Sequence, residues 1–183
     1  PVDIMNYLMW RYTGLDRRRV LGSAGMLDSS RFRSVLSKRY SVPILDVTAY
    51  VIGEHGDNQV PVFSKVQIGG EYKTFTEGER AEISCDLRES ALRVISKKGA
   101  TIFAPANNTV NTVQAILKDE KSLVACSVVL NGEYGLKNIS IGVPAILGKS
   151  GIERILEWKL DGDEEKSFYS GAEEIRKVIR MMP

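Results

Sequence analysis

Two long apolar runs, Leu123 to Leu130 and Ile139 to Leu147, flank the dipeptide Asn131-Gly132. Asn-Gly favours tight hairpin turns because both residues tolerate positive φ. The runs are therefore expected to pair as antiparallel strands. The first is apolar on both faces. In the second, Ile139, Ile141 and Val143 alternate before Ala145 to Leu147. A strand apolar on both faces needs cover on both sides, which restricts the chain to folds with a buried sheet.

Other segments supply that cover. Pro1 to Thr13 reads as a helix that starts on proline and ends at Gly14, with Met5, Leu8, Met9 and Tyr12 on one face. It is apolar almost all round (Ile4, Met5, Tyr7, Leu8, Met9, Trp10), more than one core face requires. That excess points to a subunit or domain interface, hence to a homodimer or homotetramer. Ser29 to Tyr40 reads as a second helix, with Phe32, Val35 and Leu36 inward and Asp28 at its N-cap. Ile83, Leu87, Ala91, Val94 and Ile95 mark a third, closed by Gly99. Ala106, Val110, Val113 and Leu117 mark a fourth, with Pro105 at the break before it. The last runs from about Asp163 to Met182, with Phe168, Ala172, Ile175, Ile179 and Met182 on one face and Glu173–Lys177 as an i,i+4 pair.

Strands are expected at Val47 to Ile52, at Val60 to Ile68, at Tyr72 to Phe75 after a Gly69-Gly70 turn, and at Leu156 to Leu160 beyond a Lys149-Ser150-Gly151 turn. Helices and antiparallel hairpins without regular βαβ alternation make the fold class α+β, with mixed helices around antiparallel twisted sheets.

At 183 residues, 43% hydrophobic and 26% charged, the chain fits one full domain rather than two. A net charge of +2 gives no argument for nucleic acid or membrane as a partner. Arg17-Arg18-Arg19 lacks interleaved aromatics and reads as a solvated loop or subunit contact. No apolar stretch reaches membrane-spanning length and no signal peptide is evident, so a cytoplasmic location is expected. The two cysteines, Cys85 and Cys126, are expected to be buried reduced thiols. One histidine and no close cysteine pair offer no metal ligand set.

The single histidine lies in Gly53-Glu54-His55-Gly56-Asp57. Histidine is the side chain whose ordinary pKa falls near neutrality, so His55 is the leading candidate to move a proton. An imidazole in that role needs a carboxylate to fix its tautomer and favour its charged form. Asp28 and the nearby Asp57 both qualify by residue type. Arg31, three residues after Asp28, offers a guanidinium that pairs a substrate carboxylate through two parallel hydrogen bonds.

These stretches resemble the lactate/malate dehydrogenase family, and the resemblance covers essentially the whole chain as that family's C-terminal, substrate-binding half. It rests on Pro1-Val2-Asp3, Leu27-Asp28-Ser29-Ser30-Arg31-Phe32-Arg33, Ile52-Gly53-Glu54-His55-Gly56-Asp57, Val60-Pro61-Val62 and Ile141-Gly142-Val143-Pro144. It implies His55 as proton donor and acceptor, Asp28 as the carboxylate behind it, and Arg31 as the clamp on the substrate carboxylate. It further implies Thr101 beside the substrate and Pro105 near the nicotinamide of NAD or NADP. The reaction implied is hydride exchange between that nicotinamide and C2 of a 2-hydroxy acid.

No Gly-x-Gly-x-x-Gly follows a strand, so the N-terminal Rossmann domain that binds most of the cofactor is expected to lie outside residues 1–183. The same holds for the family's mobile active-site loop and for the asparagine expected before Pro1. The 183 residues alone are expected to be inactive. The stretch Gly99-Ala100-Thr101-Ile102-Phe103-Ala104-Pro105-Ala106 resembles the lactate-dehydrogenase-like malate dehydrogenases, which favours malate, a substrate of the tricarboxylic acid cycle. L-lactate dehydrogenase is the alternative within the family. A non-catalytic oligomerisation or binding module is the alternative outside it. A hydrolase reading lacks a Gly-x-Ser-x-Gly elbow or a metal.

Overall fold

A computed structural model describes residues 2–182. Helix α1 (Val2–Thr13) is followed by a short strand β1 (Leu21–Gly22) and helix α2 (Ala24–Tyr40). The chain then makes β2 (Val47–Thr48), β3 (Val51–Gly53), β4 (Gln59–Pro61), β5 (Gln67–Ile68) and β6 (Glu71–Tyr72). Two helices follow, α3 (Glu77–Lys98) and α4 (Phe103–Leu117). The long hairpin β7 (Ser122–Asn131) and β8 (Lys137–Gly148) comes next, then β9 (Gly151–Ile155) and α5 (Gly162–Arg180).

The main sheet runs β1-β7-β8-β3-β4, with β9 also on β8, and every pairing is antiparallel. A second sheet of three strands runs β2-β5-β6. The expected α+β arrangement is what forms. The β7–β8 hairpin is its centre, and Val124 through Leu130 are all buried, so both faces of β7 are covered. The turn is wider than the Asn-Gly signal implies, because Gly132 to Leu136 forms a five-residue loop with Tyr134 at φ 53°.

Two apolar clusters hold the molecule. The larger surrounds the main sheet and includes Ile52, Ile141, Val143 and Phe168. The smaller joins α2, α3 and the second sheet through Phe32, Leu36, Val47, Val51, Phe63 and Leu87. Strand β3 belongs to both, with Val51 in one cluster and Ile52 in the other. The expected strand Val47 to Ile52 is in fact split, because Ala49 and Tyr50 carry the chain from the second sheet to the first.

Other expectations are corrected for local reasons. Val60 to Ile68 is not one strand: Phe63–Lys65 turns as a 3₁₀ helix, held where buried Glu164 accepts both the Ser64 backbone N–H (2.9 Å) and its hydroxyl (2.7 Å). Leu156 to Leu160 is a loop rather than a strand. Its pairing with β8 stops at Pro144, which accepts from the Leu156 N–H (2.8 Å) but has no N–H to return. The Tyr134 hydroxyl donates to the Leu156 carbonyl instead, at 2.9 Å.

The i,i+4 pair Glu173–Lys177 does not form; Glu173 pairs with Arg176 and Glu174 with Lys177. Cys126 is buried, which pushes its thiol up to about 12, but Cys85 is exposed on α3. Helix α1 turns Asp3, Asn6 and Tyr7 inward and leaves Met5, Met9 and Tyr12 exposed. Helix α4 buries Asn108, Thr112 and Ala115 while Val110, Val113 and Leu117 face out. Both expected apolar stripes are real, but neither faces the core of this chain. Pro1 itself lies outside the described residues.

Candidate active site

Helix α2 begins five residues earlier than the pattern implies. Asp28 therefore sits in its second turn instead of at the N-cap, which is Ser23. The early start is permitted by Gly25, where a Cβ would fall 2.8 Å from the Ala125 carbonyl of β7. That close approach, with Phe32 and Leu36 fully buried further along, fixes the face on which Asp28 and Arg31 project.

His55 reaches the same place from β3. Gly53 ends that strand at φ 82°, a conformation glycine adopts without the steric cost of a Cβ. It pairs with Gln59 on one side and Gly142 on the other. Gly142 is required by contact: a Cβ there would lie 2.7 Å from the Gly53 carbonyl. Gly56 does not use positive φ, and the loop closes through Gly56 N–H to the Glu54 carbonyl and Asn58 Nδ2 to Glu54 Oε2.

Helix and strand are registered by Ser29. Its hydroxyl donates to the Gly25 carbonyl (2.6 Å) and accepts the Val51 N–H (2.9 Å). One buried serine thus ties the helix bearing Asp28 to the strand that leads to His55.

The result is a bridge centred on Asp28, which is 3% exposed. Its Oδ2 lies 2.5 Å from His55 Nδ1, and its Oδ1 accepts from Arg31 Nη1 at 3.0 Å. Asp57, the rival partner, is exposed and lines a separate hollow. The Asp28 hydrogen bond raises the His55 pKa above its ordinary value and burial pulls it back. The charges of Asp28 and Asp3 raise it further, and that of Arg31 opposes them.

A third carboxylate was not singled out by sequence reasoning. Asp3, 2% exposed, accepts the His55 backbone N–H at Oδ2 (2.9 Å) and the Ser127 hydroxyl at Oδ1 (2.6 Å). Burial pushes its carboxyl pKa up, against the Ser127 and His55 hydrogen bonds, which pull it down.

Arg31 also borders a groove of about 940 Å³ between α2, the end of α3 and the start of α4. Thr101 lies on its far wall, in the run Ala100 to Ala104. Pro105 falls one residue beyond that wall, half-buried in the first turn of α4. The structure thus unites His55, Asp28 and Arg31 by direct bonds, places Thr101 across the groove from Arg31, and leaves Pro105 at the margin. Among the described residues, no group of three His, Cys, Asp or Glu side chains could hold a metal ion. None of the described helices is long and apolar enough to cross a membrane.

The sequence profile of the lactate/malate dehydrogenase α/β C-terminal domain matches residues 25–182. The chain is 47% identical over 175 residues to a malate dehydrogenase of Halobacterium salinarum, covering 96% of this chain and 58% of that protein. It is 38% identical over 187 residues to an L-lactate dehydrogenase of Bacillus caldolyticus, covering 98% and 59% respectively. The malate dehydrogenase structure of Aeropyrum pernix superimposes with a TM-score of 0.93 at 35% identity, over 100% of this chain and 62% of that one. The chain therefore spans somewhat under two thirds of the proteins it matches.

Proposed function

The chain belongs to the lactate/malate dehydrogenase family, and from that premise we propose that it is the substrate-binding part of a nicotinamide-dependent malate dehydrogenase. The observation that carries this reading is the Asp28 bridge, which sets a proton-exchanging imidazole beside a guanidinium.

Because Asp28 occupies Nδ1, Nε2 is the nitrogen that faces the hydroxyl of a 2-hydroxy acid. In malate oxidation, Nε2 takes the hydroxyl proton and the resulting imidazolium is stabilised by Asp28. In the reverse direction the imidazolium returns the proton to the oxygen of the 2-oxo acid. The raised His55 pKa keeps that acid form available to higher pH than a free imidazole would. Arg31 pairs with the substrate carboxylate; since Asp28 holds only Nη1, the Nε and Nη2 edge remains for a two-point contact. Thr101 borders the substrate from the opposite wall.

The groove suits a flat cofactor ring, since Ala100, Ile102, Phe103 and Ala104 make its far wall largely apolar beside the Arg31 charge. When bound there, the nicotinamide of NAD or NADP supplies the hydride acceptor. Pro105 would border that ring, and the remaining cofactor contacts would come from a Rossmann domain outside these residues. The exposed apolar face of α1 supports assembly as a homo-oligomer, which on this reading works in the cytoplasm. Malate is favoured over lactate by the greater identity to a malate dehydrogenase.

The test is NADH or NADPH consumption by the full-length enzyme with oxaloacetate or pyruvate. Preference for oxaloacetate is expected. Preference for pyruvate would move the reading to L-lactate dehydrogenase, and turnover of neither would end it. His55→Asn should lower kcat by roughly 10²–10⁴-fold while NADH still binds in a fluorescence titration. Undiminished turnover would remove His55 from the chemistry.

A further inference from the structure

The inner face of α1 is unusual for a helix packed on a sheet, because it buries Asp3 and Asn6 while apolar Met5 and Met9 point away. A buried carboxylate is costly unless its oxygens are satisfied, and an apolar side chain would serve packing alone at lower cost. What the carboxylate touches is therefore informative. Oδ2 holds the backbone N–H of His55, and Oδ1 holds Ser127 of β7. One turn on, Asn6 Nδ2 donates to the Ser127 carbonyl (3.3 Å) and to Ser140 Oγ (2.9 Å), so α1 is bolted to the sheet by polar contacts.

The sheet is shaped to receive this end of α1. Gly22, Ser127, Gly142 and Gly53 lie side by side across β1, β7, β8 and β3. A Cβ on Gly22 would meet Val2 at 3.0 Å, and one on Gly142 would meet the backbone of Gly53. Larger residues along this row would hold α1 off or force the strands apart. The row thus lets Asp3 come within hydrogen-bonding distance of the residue that carries the imidazole.

We infer that Asp3 is a positioning residue for His55, anchoring its main chain and adding a second buried negative charge to that of Asp28. The inference rests on the proton-exchange role proposed above. The charged groups bearing on the imidazole are Asp28 and Arg31 from α2 and Asp3 from α1, with Glu54 and Asp57 on its own loop; the Glu54 carboxylate is engaged by Asn58. Removing the Asp3 charge leaves Asp28 opposed by Arg31, which lowers the proton affinity of the ring.

Asp3→Asn separates charge from shape. Its amide oxygen still accepts the His55 N–H, and its amide nitrogen still meets Ser127 Oγ. Two measurements on the full-length enzyme read the effect: NMR titration of the His55 ring, assigned by loss of its signal in His55→Asn, and the pH profile of kcat/KM for 2-oxo acid reduction. In Asp3→Asn the imidazole midpoint and the alkaline limb of the profile should both move to lower pH, with kcat on the acid plateau within about twofold of wild type. Asp3→Glu, which keeps the charge, should restore the midpoint towards wild type. Asp3→Ala, which also removes the acceptor, should lower plateau kcat about tenfold with KM nearly unchanged, as expected for misplacement of a reacting group. A midpoint and pH limb in Asp3→Asn that match wild type, with only thermal stability reduced, would make Asp3 a fold anchor and overturn the inference. Failure of Asp3→Glu to move the midpoint back would overturn it equally. Wild type inactive on both 2-oxo acids would defeat the dehydrogenase reading instead, and the ring titration would still report on Asp3.

Discussion

Asp28 serves two partners at once, and its two oxygens divide the work: Oδ2 for His55 and Oδ1 for Arg31. Lysine in place of Arg31 would keep the charge and could still reach Asp28, but it has no planar edge of parallel N–H groups. One charge-assisted hydrogen bond is worth about 1.5–3 kcal/mol. Arg31→Lys is therefore expected to lower kcat/KM for the 2-oxo acid by roughly 10- to 100-fold, mostly through KM, with the NADH dissociation constant unchanged. Steady-state kinetics and fluorescence titration check this, and an unaltered kcat/KM would remove the clamp role. The three residues of the bridge were legible in the sequence because their types match the chemistry and two of them share a helical turn. Asp57 was the competing candidate by proximity to His55; the family resemblance ranked Asp28 above it, and the packing of α2 on β3 brings Asp28 to the ring. Ser29 and Asp3 were not legible as site residues. A serine inside a helix and an aspartate in a first helical turn are ordinary locally, and their roles arise from partners 22 and 52 residues away.

Helices and strands show the same division. The periodicity located every long helix and the central hairpin, because apolar spacing follows from local geometry. It did not say which face the rest of the chain would cover, so α1 and α4 came out with apolar stripes facing away from the core. Short strands depart from the sequence pattern where the backbone changes partner, at Ala49-Tyr50 and at Pro144. The β3–β8 contact at Gly53 and Gly142 is the element-level feature on which the His55 loop depends, and Gly142→Ala tests it. The added methyl would press on backbone rather than on a flexible side chain, so it should cost about 1–3 kcal/mol, as overpacking does elsewhere. A lower urea midpoint with an unchanged slope is expected, together with reduced kcat. Unchanged stability would mean that β3 and β8 separate here without penalty.

At the scale of the whole molecule, the two apolar clusters do not protect the chain evenly. Strands β7 and β8 run through the larger cluster and are buried over most of their length. Helix α3 is anchored to the smaller one by Ile83 and Leu87, but beyond Ala91 it is exposed, including Leu92, Val94 and Ile95. The exposed stretch continues through Ala100 and Ile102 into α4, whose Phe103, Val110 and Leu117 are uncovered. Regions with little buried apolar surface open at lower free energy than the core. This stretch is also the far wall of the groove that carries Thr101, so substrate binding would order one of the less protected parts of the chain. Native-state hydrogen exchange of the 183-residue chain should show amides of β7 and β8 exchanging last, near the global unfolding limit. Amides between Leu92 and Asn107 should exchange markedly sooner. In the full-length enzyme, bound NADH and a non-reactive 2-oxo acid analogue should slow exchange in that stretch while leaving β7 and β8 nearly unchanged. Equal protection across the chain, or slowing confined to other segments, would separate this wall from the binding event.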